Sequence, residues 1–105
     1  MNSIKSHTYL IGYAKKDDER VRVYMKPTAK NIANFIMKND IASIIITDEM
    51  DLPVVTAECG LIYTCRDRDF LINELQPAII PIQTGEKPVG EIEEFDINAV
   101  CNEFD

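Results

Sequence analysis

The stretch TYLIGYAKKDDERVRVYMK, residues 8–26, decides the fold, because it reads as a β-hairpin. From Arg20 to Lys26 the apolar Val21, Val23 and Met25 alternate with Arg20, Arg22, Tyr24 and Lys26. That period of two marks a strand with one buried face. Thr8–Ala14 supplies the other strand, and Lys15–Glu19 is the charged turn between them. In the first strand Tyr9, Ile11 and Tyr13 alternate with Leu10, Gly12 and Ala14. Both sets carry apolar groups, so the pattern leaves its inward face open.

Working outward, Pro27 stops the hairpin and Thr28 caps a helix through its hydroxyl. Ala29, Ile32, Ala33 and Ile36 form the apolar stripe, widened by Phe35, while Lys30, Asn34 and Lys38 lie off it. Asn39-Asp40 ends the helix. Ala42–Thr47, with three consecutive isoleucines, is expected as a strand covered on both faces. Asp48–Asp51 is a polar turn and Pro53–Ala57 runs back. Glu58–Gly60 is either a turn, with Leu61–Tyr63 as a further strand, or a bulge. Thr64–Asp67 has the pattern of a capping box, predicting a helix from about Cys65 to Leu75 that buries Phe70, Leu71 and Leu75. Pro77 is expected to end it. Ala78–Thr84 then reads as a last strand, confined to a sheet edge because Pro81 cannot donate to a ladder. Residues 1–84 are thus one α+β domain: a mostly antiparallel sheet of five to six strands with two helices on one face. Residues 85–105 are expected to be an acidic, mobile tail, with Ile97, Val100 and Phe104 as a short apolar stripe.

The chain's 105 residues suffice for one modest core. No segment has the run of apolar residues a membrane span needs, and the first ten residues lack the apolar region of a secretory signal. An odd number of cysteines, three, fits reduced thiols, and a cytoplasmic location is expected. Charge is sorted along the chain: residues 1–38 have a net of +5, residues 39–84 a net of −6 and residues 85–105 a net of −6. Segregated charge creates local fields that steer partners or hold the chain's own ends.

Candidate chemistry is sparse. Arg20, Arg22, Tyr24 and Lys26 would place an aromatic ring among cations on one strand face, with Lys15 and Lys16 at the hairpin tip. Such a face can stack bases and neutralise phosphates, but Tyr and Arg are also ordinary on a solvated strand. The overall pI near 4.6 weighs against nucleic acid. Cys59, Cys65 and Cys101 with His7 lack the paired spacing of a structural zinc site, and partly buried free thiols are the simpler account. Cys65, at a helix N-terminus, would have a lowered thiol pKa. Asp48, Glu49 and Asp51 lack a calcium-loop pattern, and Asp67 and Asp69 suit the start of a helix. No phosphate loop, nucleophile motif or cofactor motif is present. The expectation is therefore a non-enzymatic interaction or regulatory module with a protein partner, which includes a second copy of the chain. Its contact surfaces would be the basic hairpin face, the strand edge near residues 78–84, and the tail acids Glu91, Glu93, Glu94 and Asp96. Single-stranded nucleic acid is the alternative ligand; a small enzyme using His7, a cysteine and the acidic turn is a second alternative.

Overall fold

A computed structural model of the chain describes residues 7–97. Five strands, β1 (Leu10–Lys16), β2 (Glu19–Met25), β3 (Ser43–Asp48), β4 (Pro53–Glu58) and β5 (Leu61–Cys65), form one sheet in the order β2-β1-β3-β4-β5. Every pairing is antiparallel. Helix α1 spans Ala29–Lys38; helix α2 runs unbroken through Arg68–Phe70, Leu71–Leu75 and Gln76–Gln83. The α+β architecture, with two helices on one sheet face, agrees with the sequence pattern.

The register settles which side of β1 faces inward. Leu10, Gly12 and Ala14 sit opposite Met25, Val23 and Val21 on β2 and opposite Asp48, Ile46 and Ile44 on β3. Leu10, Ala14, Met25, Ile44 and Ile46 are buried with Ile32, Phe35 and Ile36 of α1. Ile11, Tyr13 and Lys15 take the outer face beside Tyr24, Arg22 and Arg20. No helix among the described elements covers that side, and Ile45 is 47% exposed there. The expectation that β3 is covered on both faces is therefore corrected. The chain turns at Cys59 and Gly60, both at positive φ (54° and 77°), so this is a hairpin turn and β5 is a separate strand. The bulge lies one step away, between Thr56 and Ala57.

Gly12 has a packing role. A Cβ built there would lie 2.8 Å from two ring carbons of Phe35, closer than such contacts allow. The missing side chain lets α1 settle against the middle of the sheet with Phe35 fully buried. Thr28 caps α1 as expected, its hydroxyl accepting from Asn31 N at 3.2 Å.

The second helix departs most from expectation. Its cap is Asp67, whose Oδ1 accepts from Phe70 N at 3.0 Å, and Cys65 is the last residue of β5. Pro77 does not end the helix, and residues 78–84 are no strand. The reason is burial at helical spacing: Leu75 and Ile79 are buried, with Ala78 and Ile82 packed on the core beside them. The wide π turn at Leu71–Leu75 precedes Pro77, where the proline ring would crowd a regular turn and no N–H is available. The sheet's edges are consequently β2 and β5.

After α2 the chain turns at Gly85 (φ 84°) and comes back over α1 to β2. Lys26 N donates to Glu93 O at 3.1 Å, and Phe95 N donates to Tyr24 O at 2.8 Å. Met25 and Glu94 form an antiparallel bridge between them. Within the apolar stripe read at 97, 100 and 104, Val100 and Phe104 lie outside the described residues.

Gly12→Ala should lower stability by about 1–3 kcal/mol through overpacking. Adding Phe35→Leu should return part of that loss, measured as the midpoint of urea unfolding. A Gly12→Ala protein as stable as the parent would contradict the contact.

Candidate functional site

The sheet register assembles the cationic face anticipated from the sequence. On the outer side Lys15 is directly opposite Arg20, Tyr13 is opposite Arg22, and Ile11 is opposite Tyr24. The Arg22 guanidinium lies 5.7 Å from the centre of the Tyr24 ring. Lys15, Lys16, Arg20 and Arg22 are exposed. Among the described residues none of these four has a carboxylate within ion-pair distance. Like charges directly across a sheet destabilise it, so the Lys15–Arg20 pair is a cost that no ion pair among the described residues offsets.

The other end of the same face is organised by aromatic rings. Tyr9 meets Tyr24 edge-on at 5.7 Å and stacks on Phe95 at 5.1 Å. Lys26 pairs with Glu93 at 3.4 Å, both side chains more than half exposed. Exposed pairs of this kind contribute little stability on their own. What holds residues 90–93 is a set of backbone contacts to two asparagines of α1. Asn31 Oδ1 accepts from Glu93 N at 2.9 Å, while its Nδ2 donates to Lys26 O at 3.0 Å and Glu93 O at 3.3 Å. Asn34 Oδ1 accepts from Gly90 N at 3.0 Å and its Nδ2 donates to Glu91 O at 3.4 Å. Both asparagines are at least 97% buried. Sequence pattern placed Asn34 off the apolar stripe, and nothing local marks either amide as a clamp.

Of the tail acids, Glu93 reaches the basic strand through its side chain. Glu94 is bridged to Met25 of that strand through its backbone, the Glu91 carbonyl is held by Asn34 of α1 instead, and Asp96 follows directly after Phe95. Tyr24 and Lys26 turn their backbone groups outward to meet this segment. Arg20 and Arg22 share that orientation by the period of two, and no strand lies beside them among the described residues.

The acidic turn between β3 and β4 is a separate cluster. Asp48 is 2% exposed. Its Oδ1 accepts from Met50 N and Leu52 N at 2.9 and 3.0 Å, and its Oδ2 accepts from Arg66 Nη2 at 3.0 Å. Arg66 also donates to the Leu52 and Pro53 carbonyls. Burial pushes the Asp48 carboxyl up, but the amides of Leu52 and Met50 and the Arg66 guanidinium outweigh it and hold the group below its ordinary value. Glu49 behaves likewise: burial opposes ionisation, and Thr8 N with His7 more than offset it. His7 Nδ1 lies 2.6 Å from Glu49 Oε1. His7, Asp48 and Glu49 bring ligand-type atoms within 4.8 Å of one another. Arg66 already supplies the cation there, so the arrangement is that of a pinned turn. Tyr13 donates to Asp51 Oδ1 at 3.3 Å, and burial together with that carboxylate raises its phenol above the ordinary value.

Neither Cys59 nor Cys65 belongs to this cluster. Cys59 and Cys65 are free thiols, and Cys101 lies outside the described residues. Burial pushes the Cys65 thiol up, correcting the lowered value expected at a helix start. No helix among the described residues is long and apolar enough to cross a membrane. No protein-family model matches the chain, and no curated protein or solved structure shows significant similarity to it.

Since the folded Asp48 carboxyl is depressed, its stabilising contribution is complete above the unfolded value of 3.8 and is lost as pH falls through the lower folded value. Asp48→Asn should cost about 2–4 kcal/mol at neutral pH and flatten the acid limb of stability against pH. An unchanged acid limb in that variant would contradict the assignment.

Proposed function

We propose that the protein is a small non-enzymatic interaction or regulatory module that takes an acidic, extended protein segment on its β1–β2 face. The observation that carries this reading is the Lys15–Arg20 pair, with Arg22 beside it on a face that no described helix covers and with no ion pair among the described residues to offset it. An anionic partner relieves a repulsion that the fold itself leaves in place. The chain's own returning segment is the precedent for the mode of recognition proposed. Residues 93–95 lie beside β2 with one ion pair, one aromatic stack and main-chain hydrogen bonds. A partner strand of like chemistry would continue along the bare edge at Arg20 and Arg22 or displace the resident segment. Displacement would make residues 90–95 a competitor, which is the regulatory element of the proposal. Free thiols at Cys59 and Cys65 suit a reducing cytoplasm as the place of action.

A second reading rests on Arg22 stacked at Tyr24, with Tyr13 adjacent on the open face. Such a platform takes single-stranded nucleic acid. The net charge of −7 opposes a polyanion more strongly than a short peptide, so the protein segment is preferred.

The two are separated by fluorescence anisotropy with the full chain. A labelled peptide copying residues 90–97 should bind, weaken with added salt, and lose binding with Arg20→Glu plus Arg22→Glu. Asn34→Ala, which loosens the resident segment, should tighten binding severalfold. Absence of peptide binding at low salt in both the parent and Asn34→Ala would sink the proposal. A labelled oligothymidylate that binds where the peptide does not would transfer the face to the second reading.

A further inference from the structure

The two edges of the sheet are treated differently. Residues 93–95 cover part of β2, whereas β5 has no strand beside it among the described residues. Natural edge strands are usually blunted by charge, proline or a covering element. Leu61–Cys65 has neither charge nor proline. Leu61 and Tyr63 are 62% and 67% exposed, and Ile72 and Ile80 on α2 are 49% and 52% exposed. A cleft of about 470 Å³ runs between strand and helix, lined by Leu61, Ile62, Tyr63, Ile79 and Ile80 with the amides of Gln76 and Gln83.

We infer that β5 and the adjoining face of α2 bind a second copy of this chain, the two β5 strands pairing antiparallel about a two-fold axis to extend the sheet across both copies. An interface between identical copies must tolerate meeting itself. A patch of one charge sign fails that requirement, whereas a strand edge and carboxamides each both donate and accept. This face meets it within a strongly acidic chain: from Phe70 to Gly85 the only charge is Glu74, which lines a different cavity beside Thr28 and Phe95. Gln83 Nε2 donates to Gly60 O at 3.1 Å, holding the end of α2 against the β4–β5 turn so that helix and strand present one surface. The four exposed apolar side chains and the strand edge are the surface such a pairing would bury, toward the roughly 800 Å² per partner that a stable interface buries. A foreign partner would have no charge pattern here by which to be selected. This surface is separate from the β1–β2 face, so either proposal can fail alone.

Sedimentation of the full chain from low micromolar to millimolar concentration should show a monomer–dimer equilibrium. Tyr63→Lys and Ile80→Glu should each weaken association at least tenfold, while Tyr63→Phe leaves it near the parental value. Both positions are exposed, and matching thermal melts at low concentration would show that the fold is intact. In the unsubstituted chain, the β5 amides should gain hydrogen-exchange protection as concentration rises. A monomer throughout the range overturns the inference. So does a dimer insensitive to both charge substitutions, or one whose β5 amides gain no protection.

Discussion

Phe35 resting on the bare Cα of Gly12 is the contact on which the rest of the arrangement depends. It lets α1 approach β1 closely, and a Cβ at position 12 would collide with the Phe35 ring. Because α1 lies low, its two buried asparagines face the returning chain at the height of the sheet edge. Asn31 can then serve the Lys26 carbonyl on one side and both backbone groups of Glu93 on the other. Core packing thus positions a polar clamp, and the clamp positions an acidic segment beside a basic strand. A buried carboxamide left unsatisfied would cost more than the hydrogen bonds return, so the asparagines enforce the path of residues 90–93.

The resulting molecule keeps its two sheet edges and its open face in distinct chemical states. At β2 the resident segment combines main-chain pairing with ring stacking, and the weak Lys26–Glu93 ion pair adds direction more than strength. At β5 the edge is apolar and has no strand beside it among the described residues. Between them the outer face is cationic at the β1–β2 hairpin, partly apolar at Ile45, and hydroxyl-lined at Thr56 and Thr64, whose oxygens lie 2.6 Å apart. The charge blocks of the sequence survive only in part: Lys26 is joined to the acidic segment, while Lys15, Lys16, Arg20 and Arg22 remain an exposed cationic group.

Local periodicity made most of the fold legible. Alternation along residues 20–26, the helical stripe at 29–36 and the turn residues around 48 and 59 each specify their element without long-range help. Residues 78–84 depart from the strand pattern because the prolines there do not act as stops. Pro77 and Pro81 sit in a helix whose apolar stripe, Leu75, Ala78, Ile79 and Ile82, is buried strongly enough to offset the lost hydrogen bonds. A preceding π turn makes room for the first of them. Contacts distant in sequence were invisible for a different reason. Asn31 and Glu93 are 62 positions apart and Arg66 and Asp48 are 18 apart, and no local spacing encodes either pair. The basic face was legible as a strand pattern. Its neighbours were not, since the pairing of Lys15 with Arg20 and the approach of Phe95 arise only from register and chain return.

Residue-resolved amide hydrogen exchange on the dilute protein tests the central claim most directly, namely that the chain covers half of its own β2 edge. Lys26 and Phe95 should exchange slowly, like the amides inside the β1–β2 ladder, while Arg20 and Arg22, farther along the same edge, exchange rapidly. Rapid exchange at Lys26 and Phe95, indistinguishable from Arg20 and Arg22, would contradict it.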